Sequence, residues 1–275
     1  MTLSRREVRD LLSRHRIVPS RARGQNFVVD PNTVRRVVRL AGVAAGDRVV
    51  EVGAGLGSLT LALAESGASV VAVEVDKRLL PVLREVVEPS GVTVVEADAM
   101  TLDWVELLGS ESWVLVANLP YNIGTPLIAD LLDGVLAIER MLVMVQREVG
   151  ERLVATPGSS AYGALSVKVA YWATARLVGR VGATVFYPPP KVESVLVSLE
   201  RRESPAVADV EGDWFFELVR AGFAHRRQML RRALGGLVSA EDFTAAGIRP
   251  EARAEELDVD AWGRLARCTS RPTPS

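Results

Sequence analysis

The chain has 275 residues, nearly half of them hydrophobic, which is enough for one large domain or two modest ones. A single cysteine excludes an intramolecular disulfide framework, and one cysteine with two histidines forms no cluster of metal-ligand spacing. The sequence shows neither a signal peptide nor an apolar run near the ~20 residues of a membrane span. We therefore expect a cytoplasmic protein without a metal, and a monomer.

The net charge of −1 conceals an uneven distribution of charge along the chain. Residues 1–40 hold ten arginines against three acidic residues, whereas residues 41–200 hold 11 basic and 19 acidic residues. A second basic stretch, residues 218–232, has five arginines and no acid. Basic islands beside an acidic middle indicate local contact with a polyanion. The alternative is a habitual use of arginine on a solvated surface, since 30 of the 33 basic residues are Arg.

Short apolar runs and amphipathic stretches alternate through the first two thirds of the chain. In chain order, we predict helices at 4–14 and from Asp30, a strand at 48–52, a helix at 59–66, a strand at 69–74, a helix at 78–87, strands at 93–96 and 113–117, a helix at 126–133, a strand at 140–145, a helix at 147–155, and segments 163–171, 173–181 and 193–201 that complete the sheet and its cover. This order predicts an α/β fold with a Rossmann-like, doubly wound, mostly parallel sheet.

After a polar break at 201–213 the periodicity is helical only. We therefore predict two domains: residues 1–204, a Rossmann-like domain with a basic N-terminal segment, and residues 205–275, a small all-helical domain with a disordered tail.

A glycine-rich loop and three acids predict a cofactor site. Gly53 and Gly55 lie between a strand and a helix, preceded by Glu51, and no basic residue in the loop serves a phosphate. Glu74 and Asp98 end the next two strands, where a carboxylate accepts hydrogen bonds from a ribose and from an adenine amino group. A cationic nucleoside without phosphate fits this set, and S-adenosylmethionine is such a ligand. The alternative for each acid is a solvated loop residue.

The sequence Asn-Leu-Pro-Tyr at 118–121 follows the fourth strand at the same sheet edge. The Asn118 side-chain oxygen and the Leu119 carbonyl, held by Pro120, suit acceptance of the two N–H bonds of an amino group, and the Tyr121 ring suits a flat base. The same residues also suit a simple strand-ending turn, because Asn and Pro favour turns.

Several stretches resemble the bacterial small-subunit ribosomal RNA adenine dimethyltransferases, the kasugamycin-sensitivity family of class I methyltransferases. They are GQNFVVD at 24–30, NLPYNI at 118–123, QREV at 146–149, YGALSV at 162–167, FYPPPKVES at 186–194 and FAHRRQMLR at 223–231. The resemblance implies transfer of methyl groups from S-adenosylmethionine to N6 of two adjacent adenosines in a hairpin loop near the 3′ end of 16S rRNA. It implies the 30S subunit or its precursor as partner, and a role in ribosome biogenesis.

The resemblance also implies which residues act. The cofactor contacts are Asn26, Val28, Gly53, Gly55, Glu74, Asp98 and Asn118, and the catalytic residues are Asn118, Leu119, Pro120, Tyr121 and Phe186. Tyr121 and Phe186 would stack on the extruded base, although an aromatic residue before three prolines also suits a core. The arginines expected to bind RNA are Arg21, Arg23, Arg226, Arg227, Arg231 and Arg232. The last four are expected on one helix, in pairs one turn apart.

Three other functions share parts of this pattern. A 23S rRNA adenine methyltransferase of the macrolide-resistance type shares Gln-Asn-Phe and Asn-Leu-Pro-Tyr, but the stretches at 162–167, 186–194 and 223–231 favour the small-subunit branch. A DNA N6-adenine methyltransferase more often has Asp-Pro-Pro-Tyr. A non-catalytic ribosome-assembly protein would not need the complete cofactor edge.

Overall fold

The structure is a computed structural model that describes residues 2–20 and 24–269. The chain divides into two compact units. The sheet unit covers the described residues up to Gly150 and Arg176–Arg201, and the helical unit covers Glu151–Ala175 and the described residues from Arg202 onward. The division expected from sequence, after residue 204, placed residues 151–175 with the sheet, whereas here they group with the C-terminal helices.

The sheet has seven strands in the order β4-β3-β2-β5-β6-β9-β7. The strands of the structure are β1 (Phe27–Val28), β2 (Arg48–Val52), β3 (Ser69–Glu74), β4 (Thr93–Glu96), β5 (Trp113–Asn118), β6 (Ile138–Gln146), β7 (Ala173–Val181), β8 (Phe186–Tyr187) and β9 (Ser194–Arg201). The pairs from β4 to β6 are parallel and β6 pairs with β9 antiparallel, which confirms the mostly parallel sheet. β1 and β8 form a separate antiparallel pair that the sequence did not predict.

The helices predicted one by one, between residues 4 and 155, agree with the observed positions to within a few residues, whereas the short helix Trp104–Leu108 was not predicted. They are α1 (Arg5–Arg14), α2 (Pro31–Leu40), α3 (Ser58–Glu65), α4 (Leu80–Val87), α5 (Trp104–Leu108), α6 (Gly124–Gly134), α7 (Arg147–Leu153), α8 (Ala164–Trp172), α9 (Gly212–Ala224), α10 (Leu230–Ala233), α11 (Ala240–Ala246) and α12 (Val259–Cys268). α2 begins as predicted, since the Asp30 side chain accepts from Thr33 N and Pro31 occupies the first turn. None of these helices is long and apolar enough to cross a membrane.

Arg201, at the end of β9, ties this strand to the end of α6. Its guanidinium donates to four backbone carbonyls, those of Leu131, Leu132, Val135 and Ile138, at 2.8–3.1 Å. Three of these lie in or just after the last turn of α6. The carbonyls of Leu131 and Val135 also accept from the backbone N–H groups of Val135 and Ile138. Arg201 thus adds a donor at a helix end that has no basic residue in its own last turn.

The helical unit has its own core, built around aromatic side chains. Tyr171, Phe215 and Phe216 contact one another with ring centroids about 5 Å apart, and Trp262 is fully buried. α9 approaches Trp262 closely at Gly222, where a Cβ would lie 2.5 Å from the indole ring. A side chain at position 222 is therefore excluded by packing rather than by backbone conformation.

Candidate active site

The carboxyl ends of the parallel strands β2 to β5 open into a cavity of about 650 Å³. All seven residues expected to contact a cofactor line it: Asn26, Val28, Gly53, Gly55, Glu74, Asp98 and Asn118. Five of them meet because parallel strands end at the same sheet edge, whereas Asn26 and Val28 belong to the segment of β1, outside that sheet. The volume lies within the range of small-molecule sites.

Two glycines of the loop after β2 have a backbone that other residues rarely adopt. Gly53 has φ +71°, and a Cβ there would lie 3.4 Å from the Pro120 ring. Gly55 has φ +61°, and a Cβ would lie 3.1 Å from the Phe27 ring. Positive φ and close neighbours both select glycine. The loop therefore packs between Pro120, after β5, and Phe27 of β1.

Glu74, at the end of β3, is buried and holds three backbone N–H groups. Its Oε1 accepts from Val75 N and Asp76 N at 3.0 and 2.8 Å, and its Oε2 accepts from Gly55 N at 2.8 Å. Burial raises the pKa of this carboxyl group, while the three N–H groups oppose the rise. A carboxylate offers about four acceptor positions, so roughly one remains for a ligand hydroxyl.

Glu51, also at the cavity wall, is 2% exposed. Its Oε2 accepts from the Thr60 hydroxyl at 2.5 Å. Desolvation raises the pKa of Glu51 to about 8, an effect that the Thr60 hydrogen bond reduces and the nearby Glu74 charge increases. A cationic ligand in the cavity would favour the ionised form of this carboxyl group.

Gln25 and Asp76 join the segment before β1 to the end of β3, a link that the sequence analysis missed. Gln25 Oε1 accepts from Ser20 N at 2.7 Å, and Gln25 Nε2 donates to Asp76 Oδ2 at 2.8 Å. Asp76 also accepts from the guanidinium of Arg78 at 2.6 and 3.0 Å, and these hydrogen bonds hold its pKa well below the usual range. The available signal was the position of Asp76, two residues after the strand-ending Glu74.

The amide of Asn118 is fixed in one orientation. Its Nδ2 donates to the backbone carbonyl of Asn26 at 3.1 Å. A carbonyl only accepts, so the nitrogen must face Asn26 and the Oδ1 atom faces away from it. Among the described residues Oδ1 has no hydrogen-bond partner, and this acceptor lies at the cavity wall.

The backbone after Asn118 presents a second acceptor. Leu119 N donates to Met144 O at 3.1 Å, and the Pro120 carbonyl accepts from Ile123 N and Gly124 N at 3.2 and 3.1 Å. Within the described part of the chain the Leu119 carbonyl receives no hydrogen bond, whereas the carbonyl that follows it is already used. Asn118 Oδ1 and Leu119 O, the predicted pair of acceptors, therefore have no other hydrogen-bond partner among the described residues. Asn118 lines the cavity, whereas Leu119 is 2% exposed and does not.

The two predicted stacking residues differ in exposure. Tyr121 is partly exposed, and its hydroxyl lies 3.0 Å from Ser194 Oγ, so the ring is held in place with an accessible surface. Phe186 is 1% exposed, since it lies in β8 opposite Val28 and packs in the core of the sheet unit. The structure thus places Phe186 in the core, the alternative weighed from sequence, and offers no open ring face for a base.

Asp98, just after β4, lies on the exposed rim of the cavity. Its Oδ1 accepts from Met100 N at 2.9 Å, which fixes the carboxylate and leaves Oδ2 for a ligand. Among the described residues, the two cations that line the cavity face carboxylates: Lys77 lies 3.2 Å from Glu96, and Arg78 is bound to Asp76. In the described residues, no group of His, Cys, Asp and Glu could hold a metal ion.

The arginines expected to bind RNA do not share one helix. α9 ends at Ala224, Arg226 and Arg227 lie in the following turn, and Arg231 and Arg232 lie in the short α10. The predicted spacing of one helical turn was therefore wrong. Arg226 donates to Glu255 and to the Ser160 carbonyl, both at 2.7 Å, and Arg231 lies 3.4 Å from Glu251. Arg21 and Arg23 lie outside the described residues.

Known proteins similar to this chain include ribosomal RNA methyltransferases. The family model described as ribosomal RNA adenine dimethylase matches residues 20–270. A protein of Kineococcus radiotolerans named ribosomal RNA small subunit methyltransferase A is 47% identical, over 96% of this chain and 90% of its own.

Two solved structures share the fold at similar scores. A dimethyladenosine transferase from Plasmodium falciparum is 25% identical with a TM-score of 0.71, over 86% of this chain and 94% of its own. The 23S rRNA methyltransferase ErmE is 26% identical with a TM-score of 0.70, over 88% of this chain and 99% of its own. The family match spans most of the chain and includes the cavity residues described above, and the chain therefore belongs to the ribosomal RNA adenine dimethylases, with the class I methyltransferase fold.

Proposed function

We propose that this protein transfers methyl groups from S-adenosylmethionine to N6 of two adjacent adenosines of 16S rRNA, in the 30S subunit or its precursor. The observation that carries the proposal is the pair of acceptors after β5. Asn118 Oδ1 is turned away from Asn26, and Leu119 O is unused among the described residues. The choice of small-subunit RNA as substrate rests on the name of the 47% identical relative, ribosomal RNA small subunit methyltransferase A.

The cavity residues fit S-adenosylmethionine. The wall of the cavity carries the buried carboxyl groups of Glu51 and Glu74, and its rim carries the carboxylate of Asp98. These acidic groups suit a cationic nucleoside. Glu74 would hold the ribose with its remaining acceptor position, and Asp98 Oδ2 would accept from the adenine amino group. When bound, the cofactor supplies an electrophilic methyl group.

The protein's own contribution is the orientation of a poor nucleophile. The lone pair of the adenine N6 amino group is delocalised into the ring. Acceptance of its two N–H bonds by Asn118 Oδ1 and Leu119 O favours a tetrahedral nitrogen, with the lone pair directed away from the two acceptors. Tyr121 would cover the base, since its hydroxyl is anchored to Ser194 and its ring remains partly exposed. No protein nucleophile is needed for this reaction.

Methylation of 23S rRNA is the second candidate, because the structural likeness to ErmE is as close as that to the dimethyladenosine transferase. The fold alone therefore does not choose between the two RNA substrates. The small-subunit relative, at 47% identity against 26% for ErmE, favours the first.

Methyl transfer from labelled S-adenosylmethionine to two substrates tests the proposal. Undermethylated 30S subunits and protein-free 23S rRNA are incubated with wild type, and the nucleosides are then analysed. The proposal expects N6,N6-dimethyladenosine in the 30S reaction only. Methylation of 23S rRNA alone would support the second candidate, and transfer to neither RNA, with cofactor bound, would contradict both.

A further inference from the structure

A basic surface on the sheet unit extends away from the cofactor cavity. It is formed by α1, α2 and the segment from the end of β7 to β8, and we call it the basic face. Its members are Arg5, Arg9, Arg35, Arg36, Arg39 and Arg180. All but Arg36, which is partly buried, are exposed.

Three contacts hold these elements together. Arg36 Nη1 donates to the Arg180 carbonyl at 3.1 Å, and Val29 N donates to Val185 O at 2.8 Å. Arg5 Nη2 donates to Thr184 O at 2.5 Å. The β7–β8 segment therefore runs beside α2 and reaches the start of α1, so the six arginines lie on elements that contact one another.

The charge of the basic face is not neutralised within the described protein. Residues 31–46 and 176–192 contain no acidic residue at all. The contacts of Arg5, Arg9 and Arg36 are with backbone carbonyls and the Tyr187 ring, and Arg35, Arg39 and Arg180 have no ion pair among the described residues. The acids of α1 are engaged elsewhere, because Glu7 caps the helix at Ser4 and Asp10 lies 3.8 Å from Arg6.

Arginines elsewhere in the sheet unit are arranged differently. Arg84 lies 2.8 Å from Glu88 and Arg140 lies 2.7 Å from Asp47, while Arg48 pairs with Glu111. A habitual use of arginine would not explain why, in the described part of the chain, carboxylates pair with these residues and with none of the six arginines of the basic face. Unpaired guanidinium groups clustered on one surface are the usual electrostatic footprint of a nucleic-acid backbone.

The basic face begins at the cavity. Val8, between Arg5 and Arg9 on α1, lines the cavity, and Val28 of β1 lines it and pairs with Phe186 of β8. RNA that delivers a nucleotide to Asn118 has its flanking strand within reach of these residues. We propose that the basic face binds phosphates of the rRNA outside the modified loop, an inference that rests on the proposed function and adds a contact surface on the catalytic unit.

The test compares two triple variants with the same loss of charge. The face variant is Arg35→Ala, Arg39→Ala and Arg180→Ala; Arg36 stays, because it holds the β7–β8 segment. The control variant is Arg48→Ala, Arg84→Ala and Arg249→Ala, whose arginines are exposed and face carboxylates. A third variant, Arg35→Lys, Arg39→Lys and Arg180→Lys, keeps the positive charge at these positions. Binding to undermethylated 30S subunits is measured over a salt series, together with KM, kcat and cofactor affinity.

The face variant should bind 30S subunits more weakly, with a higher KM and unchanged cofactor affinity. Loss of three phosphate contacts makes the slope of log K against log salt shallower by about 2 to 3. The difference in affinity between the face variant and wild type should therefore shrink roughly 20- to 40-fold from 50 to 200 mM salt. The control and lysine variants should keep the wild-type slope. Equal slopes in the face variant and wild type would overturn this inference alone, whereas wild type that does not bind 30S subunits would overturn the proposed function as well.

Discussion

Replacement of Glu51 by Gln should remove a large pH dependence of stability from the apoprotein. The ordinary pKa of a glutamate is 4.5 and that of Glu51 is raised to about 8, chiefly by burial. Between these values the folded protein keeps a proton that the unfolded chain has released. Stability therefore falls as the pH rises through this window, and the contribution is fully lost above the folded pKa.

The magnitude follows from the width of the window. Each pH unit costs ~1.4 kcal/mol, so this one group removes about 5 kcal/mol over the whole window. Between pH 6 and 8 the loss is about 2 kcal/mol, because the folded protein itself begins to release the proton near pH 8. The glutamine side chain introduced by Glu51→Gln does not titrate, yet its oxygen can still accept from Thr60. The free energy of unfolding of Glu51→Gln should therefore be flatter across this range than that of wild type.

Urea unfolding of the apoprotein at several values from about pH 6 to about pH 8 measures this difference. Glu139→Gln is the matched control, because Glu139 is an exposed glutamate at the start of β6 and its removal should leave the pH dependence unchanged. Parallel curves for wild type and Glu51→Gln would refute the reasoning, since they would mean that Glu51 has the same affinity for a proton in the folded and unfolded states.

Substitutions at three further positions test other parts of the structure. Arg201→Leu removes the guanidinium donor from four carbonyls in and after the last turn of α6, of which those of Leu131 and Val135 keep a backbone donor, and should lower the free energy of unfolding by about 1–3 kcal/mol; urea unfolding that matches wild type would contradict this. Gly222→Ala places a Cβ 2.5 Å from the Trp262 ring and should lower the free energy of unfolding by about 1–3 kcal/mol, measured by urea unfolding. An unchanged midpoint would show that the indole ring can move aside at no cost in stability. Tyr121→Phe loses only the hydrogen bond to Ser194 and should keep most of the methyl transfer, whereas Tyr121→Ala should lose at least about ten-fold in kcat/KM for 30S subunits; equal activity of the two variants would exclude a covering role for the ring.

The cofactor edge was predictable from sequence because its geometry is a property of parallel strands. Once the apolar runs define β2 to β5, the residues that follow each strand must meet at one edge, as Gly53, Glu74, Asp98 and Asn118 do. The sequence could not show that three acceptor positions of the Glu74 carboxylate are already used, because the three backbone N–H donors are placed by the course of two loops. The link between Gln25 and Asp76 depends in the same way on loops 51 residues apart.

The role of Phe186 shows where local pattern is insufficient. β1 and β8 have two residues each, too few for any periodicity, and it is their pairing that brings Phe186 into the core. The local sequence, an aromatic residue before three prolines, does not distinguish an exposed ring from a buried one. The structure chooses between them through contacts made far along the chain.

The end of α9 was missed for a related reason. The polar residues after Ala224 include no glycine or proline, so sequence pattern allows the helix to continue. The chain instead leaves the helix, and Leu230 N and Arg231 N donate to the carbonyls of Ala252 and Pro250. Tertiary hydrogen bonds thus override local propensity, and they separate the arginines that sequence placed on one helix.

The central claim is that Asn118 Oδ1, oriented by the bond from Nδ2 to Asn26, accepts an N–H of the target adenine. Single-turnover methyl transfer to undermethylated 30S subunits by wild type and Asn118→Ala, with cofactor affinity measured in parallel, tests it most directly. The account predicts a fall in transfer rate of at least about 100-fold, with cofactor affinity within about ten-fold of wild type. Transfer by Asn118→Ala at close to the wild-type rate would contradict it.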